Sequence, residues 1–303
     1  MNARHGRRAR VLAAFVVVLA AACGHRGEAT MITFAELAAK PIAPADARIV
    51  YGEGPLQFGE LRLPNGTGPF PLVVLVHGGC WQAAYDLGHV SQAAAALTRE
   101  GFATWTIEYR RIGDAGGGWP GTFEDVARAT AYVATIAQRY PVDTHRVILA
   151  GHSAGGHLAL WAARRDRTPI GDAPALPGAV TIRGVVSLAG ISDLRAYGAA
   201  PGGCNESVAP LLGGSPAAVP ARYAAASPAE RLPLGVPSRL VHGALDPIVP
   251  VAQSRSFAEL ARASGDDAEL ILVPGAGHFD LVAPGSAAWP SVVAAVHALS
   301  RAR

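Results

Sequence analysis

The chain has 303 residues, 50% of them hydrophobic and 16% charged, enough to bury a core as one large domain or two ordinary ones, so general disorder is excluded. Its 35 glycines and 23 prolines follow no fixed period, which excludes collagen-like and coiled-coil designs and fits many short turns. Of the 26 basic residues only Lys40 is a lysine, and four arginines lie in the first ten positions; leaving out residues 1–22 sets 22 basic residues against 23 acidic ones, a near-neutral body with no footprint for nucleic acid.

Arg4, Arg7, Arg8 and Arg10 precede twelve uninterrupted apolar or small residues, Val11 to Ala22, and then Cys23. Twelve residues make about 18 Å of helix against a bilayer core of about 30 Å, so residues 1–22 read as a signal peptide and not as a permanent span. Leu19-Ala20-Ala21-Ala22-Cys23 resembles a bacterial lipobox, with Ala20 where leucine is more usual. The resemblance implies cleavage before Cys23, acylation of that cysteine, and an exported cell-envelope lipoprotein held to a membrane by its lipid. The alternative is an ordinary secretory signal and a secreted or periplasmic protein. On this reading residues 23–45 are a tether and residues 46–303 the folded domain. In an oxidising compartment Cys80 and Cys204 form an even pair that can bridge; two buried thiols are the alternative.

From Asp46 onward β-rich runs alternate with alanine-rich stretches, the pattern of a single α/β domain with a mostly parallel sheet. Eight strands are expected: Arg48–Tyr51, Leu56–Leu63, Leu72–His77, Thr104–Glu108, Arg146–Ala150, Gly184–Leu188, Arg239–His242 and Glu269–Val273. Several are continuous apolar runs, as strands covered on both faces are. Helices are expected over Ser91–Glu100, Thr122–Arg139, Ala154–Arg164, Val251–Ala263 and Ala287–Leu299. Ile191–Val236 breaks the rhythm, carries Cys204, and reads as an insertion over the carboxyl edge of the sheet, where loops shape a pocket.

Gly151-His152-Ser153-Ala154-Gly155 fits GxSxG between a strand and a helix, the setting in which a sharp turn exposes a nucleophilic serine. A helix N-cap is the plainer role for Ser153. After the third strand, His77-Gly78-Gly79-Cys80-Trp81 offers a loop whose amides can point at a developing oxyanion; the donors expected are Gly79 or Cys80 and Ala154, with a simple glycine turn as the alternative. Serine at its ordinary pKa is a poor nucleophile and needs a base held by an acid. Asp246 follows the seventh strand and His278 follows the eighth, so both loops open on the same edge as Ser153. Asp280 and Asp193 compete for the acid. Among the ten histidines, His5 and His25 precede the body, and His89, His145 and His297 lie on or beside helices. His77 reads as a loop support and His242 as core, while His152 and His157 are expected to point away from the site. No HExxH or paired-cysteine spacing suggests a metal.

Taken together, HGGCW, GHSAGG, HGALD and GAGH in this order resemble the α/β-hydrolase fold, and most nearly the bacterial esterases and kynurenine formamidase-like enzymes with HGGxW, over residues 46–303. The resemblance implies Ser153 as nucleophile, Asp246 as acid, His278 as base, an oxyanion loop at Gly78, Gly79 and Cys80, and no cofactor. It makes Glu108-Tyr109-Arg110 and Trp119 to Asp125 scaffold and pocket wall. Trp81, Tyr109 and Trp119 are candidates to line an acyl or aromatic pocket, against the alternative of core. Cys80 departs from the bulkier residue usual in those groups, and a bridge to Cys204 would tie the oxyanion loop to the insertion. The activity implied is hydrolysis of small or medium carboxylic esters; the alternatives are an amide, formamide or peptide hydrolase, or a tethered binding protein without turnover.

Overall fold

A computed structural model describes residues 31–163 and 178–301, together with Met1; the expected signal peptide and Cys23 lie outside the described residues. The body that begins at Met31 is built from helix α1 (Phe34–Ala38), strands β1 (Ala47–Val50), β2 (Phe58–Arg62) and β3 (Phe70–Val76), helix α2 (Gly88–Arg99), β4 (Ala103–Ile107), helices α3 (Gly121–Ala131) and α4 (Val133–Ile136), and β5 (Val142–His152). There follow α5 (Ala154–Ala163), β6 (Ile182–Leu188), α6 (Leu194–Ala199), α7 (Val208–Leu212), α8 (Pro220–Ala226), β7 (Ser238–Gly243), α9 (Ala252–Ala263), β8 (Ala268–Val273) and α10 (Trp289–Arg301). No helix among the described residues is long and apolar enough to cross a membrane.

All eight expected strands form one sheet, in the order β1-β2-β4-β3-β5-β6-β7-β8. β1, β2 and β4 pair antiparallel in turn, and β4, β3, β5, β6, β7 and β8 are mutually parallel. The β6–β7 pairing is the shortest of the parallel ones, with four residue pairs, Val185↔Ser238 to Leu188↔Val241. Alternation along the central strands divides the core into two layers. Leu72, Val74, Val76 and Leu149 meet Phe123, Leu158 and Trp161 on one face. Val73, Leu75, Ile148 and Ala150 meet Val90, Leu97, Val292 and Leu299 on the other. Strands covered on both sides need no polar alternation, hence the unbroken apolar runs. Edge strand β1, by contrast, alternates between half-buried and exposed residues.

Two expectations need correction. The stretch read as a tether contains α1, which docks on the body: Leu37 is 2% exposed and belongs to the second layer, so the body starts at Met31 and not at residue 46. Its start is fixed by a capping box, in which Thr33 Oγ1 accepts from Glu36 N and Glu36 accepts from Thr33 N. The helix expected over Thr122–Arg139 is also broken at Tyr132, where an i→i+3 bond from Thr135 N tightens the turn between α3 and α4.

The expected insertion is present: α6, α7 and α8 fill the interval between β6 and β7. Cys204 lies just before α7 and is bonded to Cys80, with Cα atoms 5.1 Å apart and a sequence separation of 124. A loop that long loses much of its freedom in the unfolded chain on cross-linking, worth on the order of 4 kcal/mol. The denatured, unreduced body should therefore show no titratable thiol, and two after reduction; two free thiols before reduction would contradict the bridge. Leu37→Ala should lower the urea unfolding free energy by about 2 kcal/mol as α1 undocks.

Candidate active site

The turn between β5 and α5 is set by contacts that leave no room for a side chain. A Cβ added at Gly151 would lie 2.1 Å from Gly155 O, and one at Gly155 would lie 2.1 Å from Val76 O. The helix therefore starts against the sheet, and the residue between them turns sharply: Ser153 has φ +56°, in the left-handed region. An N-cap residue is extended, so this backbone separates Ser153 from the N-cap role. Its N–H donates to Leu188 O at 2.8 Å and its carbonyl accepts from His157 N at 3.1 Å, which pins the strained turn to β6 and to α5.

The loop after β3 is equally constrained. Gly79 has φ +107°, and Cys80 and Trp81 follow at +55° and +57°. Two consecutive non-glycine residues in this region cost about 1–3 kcal/mol each, and they persist because the loop is held from several sides. The disulfide and a 2.8 Å bond from Gln82 Nε2 to Ser207 Oγ tie it to the insertion. Trp81 Nε1 donates to His157 Nδ1 at 3.2 Å. Among the described residues, the N–H groups of Gly79, Cys80 and Ala154 are spent on no protein acceptor.

Beneath this loop lies a buried polar frame. Both ring nitrogens of His77 face acceptors, Gly78 O at 2.8 Å and Glu108 Oε1 at 2.9 Å. Burial works to raise the Glu108 pKa, but the His77 ring, the Arg111 guanidinium 3.1 Å away and the Tyr109 N–H outweigh it and hold it below the ordinary carboxylate value. Tyr109 stacks on His77 with ring centroids 4.3 Å apart and donates its hydroxyl to His77 O at 2.8 Å. Trp81 and Tyr109, candidates for a pocket wall, are therefore fully buried supports of the loop, because their polar atoms are used inside the core. Trp119 is half-buried, 5.3 Å from Phe123 by ring centroids, and its N–H donates to Leu211 O at the insertion.

The candidate acid and base are paired with each other. His278 Nδ1 lies 2.6 Å from Asp246 Oδ2. Asp246 Oδ1 accepts from Ile248 N at 2.8 Å and Val249 N at 2.9 Å, so its Asp-Pro-Ile-Val turn is a cradle for the carboxylate. Burial pushes Asp246 up, but hydrogen bonds from His242 and His278 and those amides outweigh it and keep it well below the usual range, ionised at neutral pH. His242 is the weaker partner: its Nε2–H goes to Val249 O at 2.9 Å and passes Asp246 Oδ2 at 3.4 Å. The competing carboxylates are committed elsewhere. Asp280 Oδ2 accepts from Gly277 N at 2.8 Å, and Asp193 caps α6 through Arg195 N and Ala196 N.

Among the described hydrogen bonds none joins Ser153 Oγ to His278; catalytic bonds of this kind often tighten only with substrate bound. The two loops are nonetheless in contact, because His152 Nε2 lies 3.0 Å from His278 O. Sequence reasoning sent His152 away from the site, and no signal in the sequence marks this contact.

Eight strands in this order, flanked by helices, with a strained serine after β5, an open amide loop after β3 and an Asp–His pair after β7 and β8, define an α/β-hydrolase. The BD-FAE family model matches residues 60–260, about two thirds of the chain, and the chain belongs to that family. It is 30% identical over 243 residues to Esterase LipC of Mycobacterium tuberculosis (strain ATCC 25618 / H37Rv), covering 78% of this chain and 60% of that protein. It is 29% identical over 261 residues to the probable isoprenylcysteine alpha-carbonyl methylesterase ICMEL1 of Oryza sativa subsp. japonica, covering 77% and 56%. The chain thus spans 60% or less of the length of these two curated relatives. A truncated form of a carbohydrate esterase from gut microbiota superposes with TM-score 0.74 at 22% identity, over 86% of this chain and 97% of the other, and shows the same fold. A bifunctional GH43-CE of Bacteroides eggerthii superposes with TM-score 0.71 at 27% identity, over 86% and 38%.

His157 joins two halves of the frame, accepting from Trp81 and donating Nε2–H to Ala226 O at 3.0 Å. Burial pushes it down to about 4, against a partial lift from that carbonyl bond. Because the folded value lies below the unfolded one, the unfolded chain binds the extra proton between pH ~6.5 and ~4. Stability should be complete above that window and fall through it as the medium is acidified, by on the order of 3 kcal/mol for this group. Urea unfolding at pH 7, 5.5 and 4 should show this loss together with that of the other buried imidazoles, His89 and His152, and His157→Gln should make it smaller by the share of this one group.

Proposed function

We propose that this chain is a serine carboxylic-ester hydrolase acting through an acyl-enzyme. The observation that carries the reading is the buried His278–Asp246 pair, with the carboxylate fixed by two amides, on the same edge as a serine forced into a left-handed turn. In this reading His278 takes the Ser153 proton as Oγ attacks the ester carbonyl, and Asp246 stabilises the imidazolium that forms. The oxyanion is received by N–H groups of Gly79 or Cys80 and Ala154, each worth about 3 kcal/mol in the transition state. His278 then protonates the leaving alcohol, and water activated by the same ring releases the acid. Esterase relatives such as LipC support an ester over an amide as the substrate bond.

The first 22 residues and Cys23 support a reading as an exported, lipid-anchored enzyme, which would meet cell-envelope or environmental esters. Hydrolysis of p-nitrophenyl esters from acetate to palmitate by the chain lacking residues 1–23 tests the chemistry. Ser153→Ala should lower kcat on the order of 10⁴-fold or more, and His278→Ala similarly. Turnover retained in Ser153→Ala would overturn the serine mechanism.

A further inference from the structure

Outside the triad, the molecule buries a second pair of imidazoles that the mechanism does not use. His89, on α2, and His152, the last residue of β5, lie with Nε2 of the first 2.7 Å from Nδ1 of the second. His152 Nε2 in turn lies 3.0 Å from the backbone carbonyl of His278. The chemistry of these contacts fixes every proton. A carbonyl oxygen only accepts, so His152 carries its hydrogen on Nε2 and its Nδ1 is an acceptor. His89 must then donate from Nε2, which leaves its Nδ1 bare, and that atom is buried without a hydrogen-bond partner. The alternative, an imidazolium at His152, would put a buried cation beside His278, whose ring centroid is 4.4 Å away. Burial pushes both rings the other way, His89 to about 3.

We propose that His89 and His152 are positioning residues: a strut of two neutral imidazoles that holds the catalytic base through its main chain. The proposal rests on the reading of His278 as that base. Asp246 fixes the His278 ring at Nδ1, and His152 fixes its carbonyl, so the base is held at two points and cannot slide along its loop. The strut also reaches the oxyanion loop. A Cβ added at Gly78 would lie 2.8 Å from His152 O and 3.1 Å from His89 Cε1. Phe34 of α1 closes the outside, with ring centroids 5.6 Å from His89 and 5.7 Å from Phe279, the residue after the base. One chain of contacts thus sets the distance between base, nucleophile and oxyanion donors. An orphan nitrogen at His89 Nδ1 is a cost that this alignment offsets, since a displacement of about 1 Å in such a site loses on the order of 100-fold in rate.

The test uses the full chain and a p-nitrophenyl ester, with Ser153→Ala as the zero. His152→Leu removes the donor to the carbonyl and should lower kcat on the order of 100-fold, with KM unchanged within about twofold. His152→Gln places an N–H at the same reach and should recover kcat to within about fivefold of the wild type. A loss in His152→Leu that appears in KM alone, or a His152→Gln as slow as His152→Leu, would overturn the strut. A second measurement needs neither turnover nor a variant that folds. Imidazole nitrogen NMR of the wild-type chain should show both His89 and His152 as neutral Nε2–H tautomers from pH 6 to 8, and an Nδ1–H tautomer or a cation at His152 would overturn the proposal. Should the wild type show no Ser153-dependent turnover, the functional reading falls by itself, and the tautomers still decide the geometry.

Discussion

The carboxyl edge of the sheet is organised by one close approach. The first turn of α5 presses against Val76 of β3 and against Gly190 beyond β6, so tightly that even a methyl group at Gly155 or Gly156 would collide with main chain. That contact leaves Ser153 one way to join strand and helix, the left-handed conformation, and the strain is held by main-chain bonds on both sides of it. From there the other loops follow. Gly78 must pass close to His152, where an added Cβ would lie 2.8 Å from the carbonyl oxygen, so the β3 loop and the serine turn are held against each other.

Around this turn the structure spends buried polar groups freely and pairs them locally. His77 with Glu108, Arg110 with Asp125, His157 between Trp81 and Ala226, and His242 between Ser254 and Val249 are each closed circuits of donor and acceptor. Such groups are expensive when unpaired, so each circuit admits one arrangement of its loop. Rigidity at the site therefore comes from hydrogen-bond geometry as much as from apolar packing.

The sheet was legible in the sequence because the central strands are short apolar runs bounded by glycine and proline, and a strand buried on both faces leaves that signature at every residue. That Ser153, Asp246 and His278 follow the ends of β5, β7 and β8 was legible because the order of elements alone fixes those positions. The structure adds what sets Asp246 apart from Asp280 and Asp193, namely its contact with His278 and the amides its oxygens accept. α1 left a trace, the Thr33–Glu36 capping box, but five residues give too little periodicity to outweigh a polar, proline-bearing flank. The sequence admits core positions for Trp81 and Tyr109, but the partners of Trp81, Tyr109 and His152 left no trace in it. Their side chains are defined by partners 32 to 126 residues away, and no local pattern encodes such contacts.

The bond between Cys80 and Cys204 divides the site in an unexpected way. It closes a covalent ring that contains β4, β5, β6 and Ser153, whereas Asp246 and His278 lie outside it on the last two strands. The two halves meet along the β6–β7 seam, four residue pairs long, where α10 packs on β5 and β6, at the bond from His152 to His278 O, and along the insertion that the ring itself anchors. Ser153 and the loop after β3 are thus fastened to each other by a covalent circuit, while Asp246 and His278 are held to them by hydrogen bonds and packing alone. Parting that seam, the packing of α10 and the bond from His152 would carry Asp246 and His278 away from Ser153 with the ring still closed, so the relation between them rests on contacts that no covalent link guards.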